Sequence, residues 1–422
     1  MSSDTAFSQE VRREVVAREG GSDARRPSFF RRRVLRRLED LTHGHLEIDS
    51  GRTRHAFGVQ RTGELVAHVT VHDERFYRRV ALGGTLGAAE SYMEGEWSTP
   101  DLTGVVRLLL RNEDVLLGLE SGVARLGATF ARGFSALRRN TREGSRKNIA
   151  SHYDLGNDFF EKMLDPTMTY SSGVFASESS TLEQASRNKL DLLCQKLELS
   201  PGERLLEIGT GWGSLAIHAA EHYGCGVTTT TISREQHRLA NERVKAAGLD
   251  DSVHVLERDY RDLEGRFDKL VSVEMIEAVG SEYYDTFFGK CAALLVPGGR
   301  MALQSITIRD QAYERHRVET DFIKRCVFPG STIPSVTALV SSATRASDLR
   351  LSDLCDYGPH YARTLREWRN NLEPHRAWVV ARYGERFYRL WMLYLAYCEA
   401  GFSERYISVV QMVFERPKWK AS

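Results

Sequence analysis

Leu205-Leu206-Glu207-Ile208-Gly209-Thr210-Gly211-Trp212-Gly213 is the stretch whose reading decides the fold. An apolar run carrying one acid leads into glycines at every second position, and the helical stretch Ser214 to Glu221 follows. Glycines let a backbone approach a ligand closely at the carboxyl end of a strand, where open parallel sheets bind their ligands. Taken alone, the motif also reads as a tight strand–helix turn with no ligand. A dinucleotide site is a sharper rival, but it prefers GxGxxG with glycines placed for a pyrophosphate.

Working outward, the flanking segments complete an α/β sheet. Val227-Thr228-Thr229-Thr230-Thr231-Ile232 is a β-branched strand. It runs into Ser233, a natural helix N-cap before Arg234-Glu235-Gln236. Val253 to Leu256 predicts a third strand, ending at Asp259-Tyr260, and Lys269 to Val273 a fourth. Met301 to Ile306 predicts a fifth, after a turn at Pro297-Gly298-Gly299. Short apolar strands alternating with helices predict a Rossmann-like doubly wound sheet over residues 148–422.

Upstream the pattern is different. Residues 1–40 read as a basic arm that becomes a helix, with Phe29, Phe30, Val34, Leu35 and Leu38 on one side. Residues 41–135 read as a smaller mixed domain. In it, Leu65 to Val71 is a strand, Gly83 to Gly87 a flexible turn before a helix from Ala88 to Glu94, and 103–138 helical. Residues 136–147 read as a basic linker. Arg12 to Arg37 holds ten arginines against Glu14, Glu19 and Asp23, and Arg132 to Lys147 is similarly basic. Such segments suit anionic membrane surfaces, although a basic run is more often a solvated tail.

The whole chain of 422 residues carries a net charge of only +1, which argues against nucleic acid as a partner. Its six cysteines form no CxxC pair and suggest neither a metal site nor a disulfide framework, so a reducing, cytoplasmic setting is expected. The polar N-terminus shows no signal-peptide pattern. No run approaches the roughly 20 apolar residues that span a bilayer. A lipid substrate would be met at the membrane surface, by a peripherally associated protein.

An acid ahead of GxGxG is similar to the cofactor turn of class I methyltransferases. Further signatures are more specific: HYDLGNDFF (152–160), MTYSSG (168–173), TISREQ (231–236), RDYRDL (258–263), VSVEMIEAVG (271–280), FIKRCVFPG (322–330), HYARTLREW (360–368) and LAYCEAGF (395–402). In this order they resemble the cyclopropane fatty acid synthase family, and GAAESYMEGEW (87–97) resembles the N-terminal domain of its full-length members. The resemblance implies S-adenosylmethionine as methyl donor, contacted by Tyr170, Ser171, Gly209, Thr210, Gly211, Thr231, Gln236 and Tyr260. It also implies a bicarbonate ion near Ser172, Glu277, Gln304, Ile306 and Tyr361. Glu277, Tyr361 and Cys398 are implied as catalytic. Ser172, Gln304 and Glu277-Ala278 depart from the family's commoner residues, so the anion site is expected to be altered.

The implied reaction alkylates the double bond of an unsaturated phospholipid acyl chain. Methyl transfer leaves a carbocation, and an anion that removes a proton from the added methyl group closes a cyclopropane ring. Bicarbonate suits this task, because a nearby side-chain carboxylate risks alkylation itself. A hydride shift would give a methyl- or methylene-branched chain instead. A lipid-binding protein without catalysis and a small-molecule methyltransferase complete the alternatives. Phe159, Phe160, Phe328, Tyr361 and Trp391 are candidates for lining an acyl tunnel, or for plain core packing. A homodimer is the assembly expected, if the chain assembles with itself.

Overall fold

The computed structural model describes residues 28–51, 53–119 and 155–418. Most of the basic arm, the 132–147 stretch and His152-Tyr153-Asp154 lie outside the described residues. The chain divides into two compact units, Met1–Arg125 and Leu126–Ser422.

In the first unit a four-stranded sheet runs in the order β2-β1-β3-β4, with β1 at His45–Asp49, β2 at Arg54–Gly58, β3 at Val66–Val71 and β4 at Trp97–Ser98. β3 is the strand expected from alternation, and it buries Ala67, Val69 and Val71 on one face. Helix Phe29–Leu38 starts where the Ser28 hydroxyl accepts from the Arg31 N–H. It buries Val34 and Leu38, while Phe29 stays 64% exposed.

The turn expected at Gly83–Gly87 is not a loop. It lies inside the helical passage Arg75–Met93, which bends at Gly84 (φ 56°, ψ −135°). A Cβ at Gly87 would stand 2.0 Å from the Arg79 carbonyl oxygen. The glycines therefore serve a close backbone crossing within a kinked helix.

In the second unit a seven-stranded sheet runs in the order β10-β11-β9-β8-β5-β6-β7. Its strands are β5 (Arg204–Ile208), β6 (Gly226–Thr231), β7 (Val253–Glu257), β8 (Phe267–Val273), β9 (Leu295–Ile308), β10 (Arg350–Asp356) and β11 (Ile407–Glu415). β7, β6, β5, β8 and β9 are parallel, and β11 is antiparallel to both its neighbours. Strand order reverses between β5 and β8, so the switch point of this Rossmann-like sheet opens at their carboxyl ends. Apolar clusters cover both faces. Phe287, Phe288 and Leu339 lie in one, Leu193, Ala216 and Ala240 in the other. Double coverage is why consecutive residues of the inner strands β5 and β8 are buried rather than alternately exposed.

Two details differ from the sequence reading. β9 begins at Leu295 and passes straight through Pro297-Gly298-Gly299, with a register shift against β8 between Phe267 and Lys269. Strands β10 and β11 complete the sheet beyond the five that were read. Every residue of β10 keeps some exposure, so its sequence, RLSDLCD, carries no core signal.

Candidate active site

The glycine-rich turn follows β5 at the switch point. Gly209 (φ +105°), Gly211 (+53°) and Gly213 (+86°) all lie in left-handed territory, where side chains are strained. A Cβ at Gly211 would meet nothing within 4 Å, so this backbone faces open space. The turn is clamped from behind. Arg243 donates to the Trp212 carbonyl (2.7 Å) and the Thr167 carbonyl (2.9 Å), and the Trp212 indole donates to Asn157 (2.9 Å). That last bond ties the HYDLGND signature to the turn.

Beneath the turn, Thr229 donates to Glu207 (2.6 Å) and shares a bond with the Thr210 hydroxyl (2.7 Å). Thr210's side chain is thus engaged below the turn, and its N–H donates to the Thr230 carbonyl. Burial pushes the Glu207 carboxyl up to about 8. At the end of β6, Thr231 donates to the Gln236 side-chain oxygen (2.8 Å), and Ser233 caps the helix Arg234–Ala246. The Tyr260 hydroxyl is buried without a partner, its ring edge-on to Phe287.

On the other side of the switch point stands a residue the sequence reading did not single out. Glu274 follows β8 directly. Its carboxylate accepts from the Ser172 N–H (2.9 Å), the Gln304 amide (2.8 Å) and the Tyr361 hydroxyl (2.6 Å). Its φ of 47° is unusual for a residue with a side chain. Gln304 is held in turn by Gln411, which donates to its oxygen (3.0 Å). Glu277, one helical turn on, accepts from the Ser305 hydroxyl (2.8 Å) and the Ile306 N–H (2.6 Å), and its second oxygen is buried without a partner. Burial first, then the Glu274 charge, pushes Glu277 up to about 8. A signal for Glu274 existed: an acid placed directly after an apolar strand beside the strand of the glycine turn.

Lys189 lies between the two halves on helix Leu182–Leu197, whose start is fixed by a Thr181–Gln184 capping box. It is 1% exposed and donates to the Ser171 hydroxyl (2.9 Å). Burial lowers it to about 8 against the pull of Glu274, Glu207 and Asp165. Tyr170 packs against Phe160 and Trp368 and shares a hydroxyl bond with Tyr394 (3.0 Å). Burial pushes the Cys398 thiol far up, which keeps it neutral and a poor nucleophile. Phe159, Phe160 and Trp391 form one fully buried, edge-to-face cluster and so belong to the core. Phe328 is only half-buried, against Tyr394.

The residues fit S-adenosylmethionine: an open glycine backbone at the switch point, polar groups at the ends of β6 and β7, and the orphaned Tyr260 hydroxyl. They do not fit a bicarbonate ion. The Ser172 N–H, Gln304 and Tyr361 already donate to Glu274, and the Ile306 N–H donates to Glu277. An added anion would sit against a carboxylate with its expected donors occupied.

The comparisons with known proteins agree with this geometry. The model of the family "Mycolic acid cyclopropane synthetase" matches residues 140–412. The tuberculostearic acid methyltransferase of Mycobacterium tuberculosis is 39% identical over 348 residues, covering 80% of this chain and 81% of its own. The cyclopropane-fatty-acyl-phospholipid synthase of Escherichia coli is 36% identical over 362 residues, covering 85% and 90%. A mycolic acid cyclopropane synthase solved with SAH and CTAB superposes with a TM-score of 0.60 at 32% identity, over 64% of this chain and 98% of that one. Matched in fold, in ordered motifs and over most of its length, the chain belongs to the mycolic acid cyclopropane synthetase family, among the S-adenosylmethionine-dependent methyltransferases of class I Rossmann-like fold.

Proposed function

We propose that the protein transfers a one-carbon unit from S-adenosylmethionine to the double bond of unsaturated phospholipid acyl chains, forming a cyclopropane ring. The observation that carries this reading is the buried carboxyl pair Glu274 and Glu277, closed over by Tyr361 at the switch point beside the glycine turn. When bound, the cofactor supplies an electrophilic methyl group. The chain supplies the rest. The Gly209–Gly213 turn, open at Gly211, takes the donor, and buried carboxyl groups stabilise positive charge developing on an alkene. The 36% identity to a cyclopropane-fatty-acyl-phospholipid synthase, across 90% of that protein, supports the phospholipid substrate.

Access from a membrane surface accords with an exposed Phe29 on an arginine-rich helix. Among the described residues no helix is long and apolar enough to cross a membrane.

A second reading, methyl or methylene branching of the same chain, is favoured by the 39% identity to tuberculostearic acid methyltransferase. Purified protein, S-adenosylmethionine and vesicles of monounsaturated phospholipid decide between them. Acyl methyl esters that gain one CH2, lose alkene protons and show high-field ring protons establish cyclopropanation. The same mass with an alkene retained establishes methylene branching. No change in the acyl chains would refute both.

A further inference from the structure

We infer that the carboxylate of Glu274 is the general base of this enzyme and occupies the place in which a bound bicarbonate ion would act. The inference rests on the acyl-alkylation reading above and names the group that completes it.

Three observations carry it. The first is convergence. Ser172, Gln304 and Tyr361 lie far apart in sequence, yet each directs a donor at Glu274, at 2.9, 2.8 and 2.6 Å. No donor of this set remains for a separate anion. The second is strain. A non-glycine residue at φ 47° is strained and persists only where its surroundings hold it. Here three hydrogen bonds to the carboxylate do so. The third is the division of charge between two acids. Glu277 accepts two hydrogen bonds and leaves one oxygen unpartnered, which suits a neutral acid. Glu274 accepts three and feels the Lys189 ammonium, which suits the anion. Burial raises Glu274 as well, but Tyr361, Ser172 and Gln304 each pull it back down. Burial raises both carboxyl groups, but three donors hold the charge on Glu274 while that charge raises Glu277 further, and unequal surroundings of this kind suit an acid and a base.

The step balances. A C–C bond forms between the donated methyl carbon and one alkene carbon. The S–C bond breaks, its electron pair remaining on sulfur. The neighbouring alkene carbon becomes cationic. Glu274 then takes a proton from the added methyl group, and the electron pair of that C–H bond closes the ring. After a hydride shift, the same proton loss yields the methylene branch, so one base serves both products. Bonding to three donors also answers the alkylation risk, because it engages the oxygen lone pairs that would otherwise attack the methyl group.

The test uses the full chain, S-adenosylmethionine and monounsaturated phospholipid vesicles, in buffer purged of carbon dioxide and again with bicarbonate added. Glu274→Gly is the informative variant, since its backbone already has a conformation that glycine adopts freely. Wild-type turnover is expected to be the same in both buffers. Glu274→Gly is expected to lose about 10²–10⁴-fold without bicarbonate, the usual contribution of a general base, and to regain part of it when added bicarbonate binds to the vacated donors. Glu274→Gln loses activity without recovery, because its amide still fills the place. Carbon-13 bicarbonate should give a bound NMR signal with Glu274→Gly alone. Wild-type turnover that falls when bicarbonate is removed, or Glu274→Gly at wild-type rate without it, overturns the inference. If wild type alkylates no vesicle, the acyl reading fails separately, and the bicarbonate-binding signal still decides what occupies the anion place.

Discussion

The two halves of the site are built differently. The half proposed to hold the cofactor is local. Gly209 to Gly213, Thr231 to Gln236 and Tyr260 each belong to a short motif at the end of a strand, and backbone conformation does most of the work. The carboxylate half is assembled from residues 172, 274, 277, 304 and 361, which only the tertiary fold brings together. A local half fails through backbone strain and loses binding. An assembled half fails one hydrogen bond at a time and loses rate. The difference is measurable.

The largest effect is expected at the turn. Gly209→Val places a β-branched side chain at φ +105°, with its Cβ 3.4 Å from Met275. Strain toward the upper end of about 1–3 kcal/mol should weaken S-adenosylmethionine binding about 100-fold, read by calorimetry. The unfolding transition should stay cooperative. A variant that binds normally but turns over slowly would erase the distinction between the halves.

A smaller and opposite pattern is expected on the other side. Tyr361→Phe removes one donor from a buried carboxylate, and a hydrogen bond to a charged group is worth about 1.5–3 kcal/mol. The rate with saturating vesicles should fall about 10-fold or somewhat more, while S-adenosylmethionine affinity stays within about 2-fold. Glu274 loses only one of its three partners, so the loss should be smaller than for Glu274→Gly. An unchanged rate would mean that Tyr361 packs on Phe402 and does nothing else.

These contrasts explain what was legible in the sequence. Five parallel strands, the glycine turn and the Ser233 cap could be read, because periodicity and turn chemistry are local. Ser172 and Tyr361 came from ordered motifs and Gln304 from its place in the fifth strand, and the structure does bring their donors together. Glu274 stood inside a quoted motif, three residues before Glu277, and was passed over. Nothing within ten residues shows that a serine amide, a glutamine and a tyrosine point at it. The same limit hid β10, whose half-exposed residues carry no alternation, and the kink at Gly84, whose reason is a carbonyl five residues before Gly84 that Gly87 meets in space. It also left Phe159, Phe160 and Trp391 open between tunnel lining and core packing, where the structure buries them in one aromatic cluster with Tyr170, Trp212 and Phe387.

The smallest effect sharpens the comparison through stability rather than rate. Glu207 supports the turn from below and touches neither the open backbone nor Glu274 by a hydrogen bond. Its carboxyl titrates near 4.5 when unfolded and is pushed up to about 8 by burial in the fold. A raised folded value means that the native state holds the proton more tightly. Its contribution is therefore full below about 4.5 and is lost as pH rises through 8. Glu277, also raised to about 8, adds a loss of the same sign. Lys189, lowered from 10.5 to about 8, has the opposite sign: its contribution is full above 10.5 and is lost as pH falls through 8. Wild-type melting temperature should fall between pH 5 and 8. Glu207→Gln keeps an oxygen to accept from Thr229 and removes one titration, so its melting temperature should fall less. At roughly 2–4 °C per kcal/mol, the two proteins should differ by several degrees at pH 8 and hardly at all at pH 5. Parallel melting curves across that range would mean that Glu207 stays ionised beneath the turn, paired with the Lys189 charge.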